Sequence, residues 1–176
     1  VLDILKKYGA KATFFVVGSR VEQNPDVALR IVREGHAMGN HTYDHKFLSS
    51  KNSEEVRREI TAADDAIFRI TGQRPRIFRP PYGAEDPGVL REIFRLGYKV
   101  ILWSVDSQDW KNATAETIID HELPYFHNGA IILNHSAGGS GEDLSGTVKA
   151  LPVIITSLRQ KGYDIVTVPE LLGLPR

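Results

Sequence analysis

Short apolar runs alternate with amphipathic helical segments along the whole chain of 176 residues, and this alternation restricts the possible folds more than any other feature. Six of these runs have the length and the aromatic or β-branched content of buried strands. They lie at 12–17, 36–40, 76–79, 98–105, 130–134 and 163–168. Alternation of this kind predicts an α/β fold in which helices cover a parallel sheet.

Helix signals occupy the intervals between these runs. The helical patterns lie at 1–8, 25–33, 52–70, 87–97, 114–121 and 146–161, with a short last helix from residue 169. Pro25 and Pro87 suit a first helical position, and Asn52 with Glu55 has the spacing of a capping box. Pro152 is expected to bend the sixth helix or to begin it anew.

The N-terminus reads as the second half of a helix. Leu2, Leu5 and Tyr8 share one face and Gly9 suits the left-handed position after a helix, but no capping residue precedes them. We therefore expect the chain to begin inside a domain, with one further strand upstream. Seven strands favour a distorted β/α barrel over an open sheet. Residues 1–176 would then form a single domain that is truncated at its N-terminus.

Composition excludes several classes of function. The 22 Lys and Arg residues balance the 22 Asp and Glu residues, so no net field favours nucleic acid or an anionic membrane. No apolar run approaches the roughly 20 residues that a membrane helix requires. The chain has no cysteine, which excludes disulfides and thiolate metal sites and leaves His, Asp and Glu as the strong metal ligands.

Unusual polar residues follow four consecutive predicted strands. In β/α barrels the active site forms from the loops at these strand ends. The groups are His41 with His45, Arg79 to Gly83, Asp106 to Trp110, and Asn134 with His135. Four coincidences in a row are hard to obtain from ordinary solvated loops, and they indicate a hydrolytic or binding site at that end of the sheet.

His41 and His45 are candidate metal ligands. If the segment turns helically, an i, i+4 pair projects from one face, so that both imidazoles reach one divalent ion about 2.0–2.1 Å away. The alternative is one surface histidine and one capping or core histidine. Two imidazoles do not complete a site, because a catalytic zinc usually has three protein ligands and an open position for water.

Each of the other strand-end residues can be interpreted either as a catalytic residue or as a structural one. His135 is either a general acid or a hydrogen-bonded rim residue, and Asp106 is positioned in the sequence to orient it and raise its pKa. Arg79 would hold a carboxylate or form a surface ion pair. The backbone N–H near Tyr82 would face an oxyanion. Trp110 is either a pocket wall or part of the core.

Four ordered motifs, HTYDH, RPPYG, DSQDW and LNH, together resemble those of the polysaccharide deacetylases, the NodB-homology or family 4 carbohydrate esterases. The likeness covers essentially the whole chain, including ATFFVVG near its start. It implies a distorted (β/α)7 barrel of the polysaccharide deacetylase type, lacking its first strand in this chain. It also implies metal-dependent removal of acetyl groups from N-acetylglucosamine polymers or, in some members, from acetylated xylan.

The resemblance assigns roles by position. The metal ligands would be His41 and His45, the catalytic residues Arg79, Tyr82, Asp106 and His135, and the substrate-pocket residues Pro81, Trp110 and Leu133. Arg79 would brace the catalytic base, and Asp106 would tune His135. The implied ion is divalent, zinc first, with cobalt, manganese or nickel as alternatives.

One departure from the family pattern affects activity. The family's first motif, usually Thr-Phe-Asp-Asp-Gly, supplies the catalytic base and the third metal ligand, and it precedes the first helix. Asp64-Asp65 does not replace it, because that pair lies in mid-helix, and Glu142-Asp143 lies in a Gly/Ser-rich loop. Asn134-His135-Ser136 also stands where many relatives have Leu-His-Asp, which points to a different subfamily or substrate.

The implied reaction is hydrolysis of acetamide groups on a peptidoglycan-like or chitin-like polysaccharide. A metal-bound water would attack the carbonyl, and His135 would protonate the departing amine. Without the Asp-Asp motif, this chain alone is expected to bind metal weakly and to have little activity. The alternatives are a non-catalytic glycan-binding or partner-binding module and a small-amide hydrolase. The resemblance also implies a monomer that is extracellular or associated with a bacterial cell wall.

Overall fold

The computed structural model describes residues 1–139 and 141–174. Its helices are α1 Leu2–Tyr8, α2 Gly18–Gln23, α3 Pro25–Arg33, α4 Ser53–Thr71, α5 Pro87–Arg95, α6 Ala115–Glu122, α7 Ser145–Gln160 and α8 Val168–Leu171. Its strands are β1 Thr13–Val16, β2 Ala37–Asn40, β3 Ile77–Phe78, β4 Lys99–Val100, β5 Val105–Asp106 and β6 Ile132–Leu133. These elements fall into two compact units, one of residues 13–102 and one of residues 1–12 together with those from Trp103 onward.

The unit of residues 13–102 contains a four-stranded parallel sheet in the order β1-β2-β3-β4. Asn40 at the end of β2 lies opposite Val16 of β1 and Phe78 of β3, and Phe78 lies opposite Val100 of β4. The carboxyl ends of the first three strands therefore lie side by side. The predicted parallel pairing is confirmed, and His41 and Arg79 follow two adjacent strands.

Helices α4 and α5 supply most of the core of this unit. Its fully or nearly buried members are Leu48, Val56, Ile60, Phe78, Val89, Ile93 and Tyr98. Helix α2 escaped the sequence analysis because six residues are too few for a helical period to be visible. Gly18 at its start lies so close to α4 that an added Cβ would be 2.8 Å from the Ala63 Cα, and this contact requires glycine.

The second unit has β5 paired in parallel with β6, with Val105 opposite Ile132 and Asp106 opposite Leu133. Helix α6 packs on α7. The buried cluster between them consists of Ile118, Ala150, Ile154 and Leu158. This packing fixes the ends of β5 and β6, where Asp106 and Leu133 lie.

The structure corrects three element predictions. In place of one strand at 98–105 there are two short strands, β4 and β5. The carbonyl oxygens of Ile101 and Leu102, which lie between them, accept hydrogen bonds from the Arg79 side chain instead of from a neighbouring strand. The strand expected at 163–168 is absent from the described residues, and α8 begins at Val168. Pro152 does not restart α7, which runs through it.

Within residues 1–139 and 141–174 no helix is long and apolar enough to cross a membrane. The single domain over residues 1–176 stays a prediction.

The capping box at the start of α4 is confirmed. The Asn52 side chain accepts the Glu55 N–H at 2.9 Å, and the Glu55 carboxylate accepts the Asn52 N–H at 3.1 Å. We expect Asn52→Ala to lower the free energy of unfolding by about 1 kcal/mol, because alanine leaves the Glu55 N–H without its acceptor. Urea denaturation followed by circular dichroism measures this change. Asn52→Ser, which retains a capping oxygen, should lose much less.

Candidate metal and catalytic residues

His41 and His45 lie side by side at the end of β2. The His41 N–H donates to the Val16 carbonyl at 3.0 Å and so extends the pairing with β1. The two imidazole centroids are 4.8 Å apart, with their planes at 68°. The expected helical turn is wrong, since Thr42 (φ 67°) and His45 (φ 57°) both adopt the left-handed conformation. A tight irregular loop, rather than a helix, brings the rings together.

The His41 ring is oriented by the main chain of the neighbouring strand end. Its Nδ1 lies 2.5 Å from the Arg79 carbonyl oxygen. A carbonyl oxygen only accepts hydrogen bonds, so Nδ1 carries the hydrogen and Nε2 is the basic nitrogen of the ring. Metal-binding histidines commonly have this arrangement, in which a second hydrogen bond fixes the tautomer and the ring. The two imidazoles therefore fit a divalent ion as a partial set of donors.

A buried glutamate on α4 holds the loop of residues 41–46, and the sequence analysis missed it. Glu59 accepts the N–H groups of Tyr43 at 3.2 Å and Asp44 at 3.0 Å, and the Lys46 ammonium at 2.5 Å. A signal existed in the sequence, because Glu59 adjoins Ile60 on the apolar side of an amphipathic helix. A charged residue buried there requires partners of its own.

Asn40 is a second residue that sequence reasoning missed. It is completely buried, and its amide donates to the Ile60 carbonyl at 2.9 Å while its Oδ1 accepts the Thr42 N–H at 2.9 Å. The Thr42 hydroxyl oxygen in turn accepts the His45 N–H at 3.0 Å. Asparagine is uncommon in strands, so its place at the end of β2 was a usable signal. These bonds fix the backbone between the two histidines.

Arg79 is buried beneath the same loop. Its Nε donates to the Ile101 carbonyl at 3.1 Å and its Nη2 to the Leu102 carbonyl at 2.9 Å. The guanidinium also lies 4.1 Å from the centre of the Phe15 ring. Burial lowers the pKa of Arg79 to about 10, so the group is charged at neutral pH. The bracing of a catalytic carboxylate by Arg79 stays a prediction.

Tyr82 presents an exposed aromatic ring beside the histidines. It lies in the turn Pro81–Gly83 with φ 60°, and 70% of its surface is accessible. Its ring centroid is 5.0 Å from that of His45 and 5.9 Å from that of Phe47. Pro81 is buried. The roles of the Tyr82 N–H at an oxyanion and of Pro81 in a substrate pocket stay predictions.

In the second unit, a buried aspartate holds His135. The Asp109 Oδ1 lies 2.6 Å from His135 Nδ1, and Oδ2 accepts the His135 N–H at 2.7 Å and the Thr147 hydroxyl at 2.8 Å. Burial by itself raises the pKa of Asp109, but the hydrogen bonds from His135 and Thr147 outweigh it, so the net shift is downward. Asp109 is therefore an ionised acceptor, and Nε2 is the ring atom of His135 left to exchange a proton.

This pairing corrects the partner expected for His135. Asp106 lies three residues earlier and its Oδ1 accepts the Gln108 N–H at 2.9 Å. Gln108 adopts the left-handed conformation (φ 53°), which turns the chain and leaves Asp109 as the carboxylate that is bonded to His135. Trp110 is 45% exposed and Leu133 is buried in β6, and their pocket roles stay predictions.

The two acidic pairs that the sequence analysis rejected have structural partners. Asp64 accepts the Tyr98 hydroxyl at 2.6 Å and pairs with Arg74, which also binds Asp65. Glu142 and Asp143 accept main-chain N–H groups within their own loop. Among residues 1–139 and 141–174, no group of three or more metal-ligating side chains occurs. His41 and His45 thus stand as two donors.

Comparisons with known proteins bear on both groups of residues. A profile of the polysaccharide deacetylase family matches residues 1–101. A peptidoglycan-N-acetylglucosamine deacetylase of Bacillus cereus is 39% identical over 171 residues, or 97% of this chain and 62% of that protein. The chain thus spans less than two-thirds of the length of this relative.

Two solved structures resemble the chain along nearly its whole length. A peptidoglycan N-acetylglucosamine deacetylase has a TM-score of 0.95 at 38% identity, covering 99% of this chain and 80% of that one. A pseudoenzyme of the CE4 family from Bacillus anthracis has a TM-score of 0.89 at 34% identity, covering 97% of this chain and 58% of that one. These likenesses confirm the α/β fold class that the resemblance implied.

Proposed function

Because the chain belongs to the polysaccharide deacetylase family, we propose that it hydrolyses the acetamide groups of N-acetylglucosamine residues in a bacterial cell-wall polysaccharide. The observation that carries this proposal is the histidine pair at the end of β2. The His41 ring is fixed through Nδ1 by the Arg79 carbonyl, and the His45 ring lies 4.8 Å from it. Two oriented imidazoles suit a borderline cation, and zinc is the first choice.

A divalent ion held by His41 and His45 would polarise a carbonyl oxygen and lower the pKa of water. The chain's own contribution begins with holding these two rings, through Glu59, Asn40 and the Arg79 carbonyl. Because the loop is fixed on three sides, the donors are set before any ion binds. This reduces the conformational freedom that binding would otherwise remove.

His135 supplies the proton in this proposal. Hydrolysis breaks the C–N bond of the acetamide, water supplies the new oxygen of acetate, and the departing amine takes a proton. Asp109 binds Nδ1 of His135 and also its main-chain N–H, so Nε2 is the atom that transfers the proton. A positioned acid of this kind contributes about 10²–10⁴-fold to a reaction rate.

Peptidoglycan is the proposed polymer, because the Bacillus cereus relative carries that substrate in its name. Such a substrate implies that the protein acts outside the cell membrane or within the cell wall, and we propose that it does so as a monomer. The unusual Asn134 beside His135 supports a subfamily preference within that class. Chitin-like oligosaccharides share the same acetamide and provide a soluble test substrate.

We expect acetate release from chitooligosaccharides by this chain to require both histidines. Removing a residue that only supports a metal ligand costs 10–100-fold in metal affinity or activity, so His41→Ala or His45→Ala should cost at least about 100-fold. The measurement is enzymatic detection of acetate with zinc added, and again after chelation. His127→Ala removes an exposed histidine and provides the matched control.

Zinc titration calorimetry on the same proteins completes the test. With two imidazole donors among the described residues, this chain should bind zinc more weakly than a three-ligand site, and each variant should weaken binding further. Acetate release that survives both chelation and His41→Ala would rule out the proposal. Nanomolar zinc binding with normal turnover would contradict the expectation that a third ligand is needed.

A second candidate function is a non-catalytic glycan-binding module, and the Bacillus anthracis relative described as a pseudoenzyme favours it. The retention of a buried aspartate on the His135 ring argues for catalysis, since binding alone needs no oriented acid. Retained binding of chitooligosaccharides without acetate release, unaffected by His135→Ala, would establish the module instead.

A further inference from the structure

A fully buried glutamate lies behind His135 and takes no part in the proposed reaction. Glu122, the last residue of α6, has no accessible surface. Its Oε1 accepts the Asn134 amide Nδ2 at 2.7 Å. Its Oε2 and the Asn134 Oδ1 are both buried, and neither has a hydrogen-bond partner among residues 1–139 and 141–174 while the carboxyl is ionised. Two buried acceptors on interacting side chains are thus left unsatisfied.

A single proton satisfies both atoms. The amide oxygen of Asn134 only accepts hydrogen bonds, and an ionised carboxylate likewise only accepts. A protonated carboxyl has one O–H donor, and the existing bond already aligns one edge of the carboxyl with the amide. An O–H on Oε2 would supply the donor that Oδ1 lacks, and a hydrogen bond between these two atoms would stand beside the first. Burying the ionised form would instead cost its full desolvation.

The charges that face Glu122 also disfavour its ionised form. Burial is the main cause that raises its pKa, and the negative charges of Asp109 and Asp106 add to it. The hydrogen bond from Asn134 acts in the opposite direction but is weaker, and the pKa lies at about 7. Within the described part of the chain, no cation is among the groups that act on this carboxyl.

We propose that Glu122 is a neutral carboxylic acid below neutral pH, that it then forms a closed acid–amide pair with Asn134, and that it thereby acts as a positioning residue for His135. Asn134 immediately precedes His135, whose N–H and Nδ1 are held by Asp109 on the other side. The main chain at His135 is thus fixed from two directions, by a neutral pair and by an ionised aspartate. The assignment of the pair stands on its burial and hydrogen bonding, and its effect on catalysis rests on the proposed function.

Carbon-13 NMR of the chain labelled at its glutamate carboxyl groups tests the pair directly. We expect one resonance, absent from Glu122→Gln, to report a protonated carboxyl at pH 5.5 and to titrate with a midpoint near 7. Glu116→Gln, which alters an exposed glutamate of the same helix, should leave that resonance in place. Assignment through bonds in the wild type gives the same information without any variant. A Glu122 resonance that is fully ionised at pH 5.5 would overturn the proposal.

The pH dependence of stability gives a second readout. A carboxyl whose pKa is raised on folding binds more protons in the folded state between the unfolded and folded values, so stability falls as pH rises through that interval. The contribution is therefore fully present below about 4.5 and lost by about 7. Glutamine retains one donor and one acceptor, so Glu122→Gln should keep the pair and remove this fall. Glu116→Gln should still show the fall in stability as the pH rises.

Catalysis provides the readout that a purely structural role would not change. Glu122→Gln should keep kcat for acetate release within about threefold of the wild-type value. It should also abolish any fall in kcat that accompanies ionisation of this carboxyl. Glu122→Leu should lower kcat more than it changes KM. If no variant and no wild-type protein releases acetate, the proposed function fails while the NMR result still decides the pair. Equal activity and equal pH profiles for all three proteins would overturn the positioning role.

Discussion

Replacing Asp109 with asparagine is expected to lower the rate of acetate release by about 10²–10⁴-fold, the contribution of a well-placed acid. Both carboxylate oxygens accept hydrogen bonds, one from His135 Nδ1 at 2.6 Å and the other from the His135 N–H and the Thr147 hydroxyl. An amide has one accepting oxygen, and its NH₂ group would face an N–H donor. The ring would then turn away or adopt the other tautomer, and the imidazolium that donates its proton from Nε2 would lose the ionised acceptor of its Nδ1–H.

The Asp109→Asn measurement needs kcat and stability together. We expect the free energy of unfolding to fall by about 1–3 kcal/mol, because a buried donor is left without an acceptor. Asp120→Asn, on the exposed face of α6, is the control for loss of charge in the same unit. Asp106→Asn should lose less activity than Asp109→Asn. The reverse order would show that Asp106, and not Asp109, is the functional partner of His135.

Replacing Glu59 with alanine is expected to weaken zinc binding by about 10–100-fold, which is typical for loss of a group that supports metal ligands. The Glu59 carboxylate accepts two consecutive N–H groups, those of Tyr43 and Asp44, and pairs with Lys46. Alanine would leave these donors without a partner beneath the loop of residues 41–46. The rings of His41 and His45 would then no longer be held at a fixed separation.

Calorimetric zinc titration and urea unfolding of Glu59→Ala separate binding from stability. We expect the free energy of unfolding to fall by about 1–3 kcal/mol, because the N–H groups of Tyr43 and Asp44 lose their acceptor. Glu54→Ala, on the same helix but in a solvent-exposed pair with Arg58, should change stability by less than about 1 kcal/mol. Unchanged zinc affinity in Glu59→Ala would show that the loop keeps its shape without this carboxylate.

The sequence allowed much of the fold to be predicted, and the reasons for the errors are specific. Alternating apolar runs predicted the parallel strands, and the spacing of Asn52 and Glu55 predicted the cap of α4. The run 98–105 was largely apolar, however, and nothing in it showed that the Arg79 side chain would donate hydrogen bonds to the carbonyl groups of Ile101 and Leu102. Tertiary contacts of this kind override local strand propensity.

For the candidate site, too, some predictions were right and others failed for specific reasons. The histidines were identified from their spacing and position, but the helical turn expected between them was wrong because Thr42 and His45 are left-handed. The choice between Asp106 and Asp109 depended on the backbone of Gln108, which composition does not reveal. Asn40 and Glu59 were missed because each was read as part of an ordinary strand or helix, although a polar residue on a buried face is a reason to search for its partners.

The left-handed backbone at Thr42, His45 and Tyr82 has a consequence for protein engineering. Each of these non-glycine residues costs on the order of 1 kcal/mol relative to glycine in the same conformation. A library screened only for heat resistance would therefore tend to accept glycine at His45 and Tyr82, whereas the buried Thr42 hydroxyl accepts the His45 N–H and resists replacement. The two accepted substitutions would delete an imidazole and an aromatic ring. Thermostabilisation should keep these positions fixed, since the most stable sequence for this backbone is not a functional one.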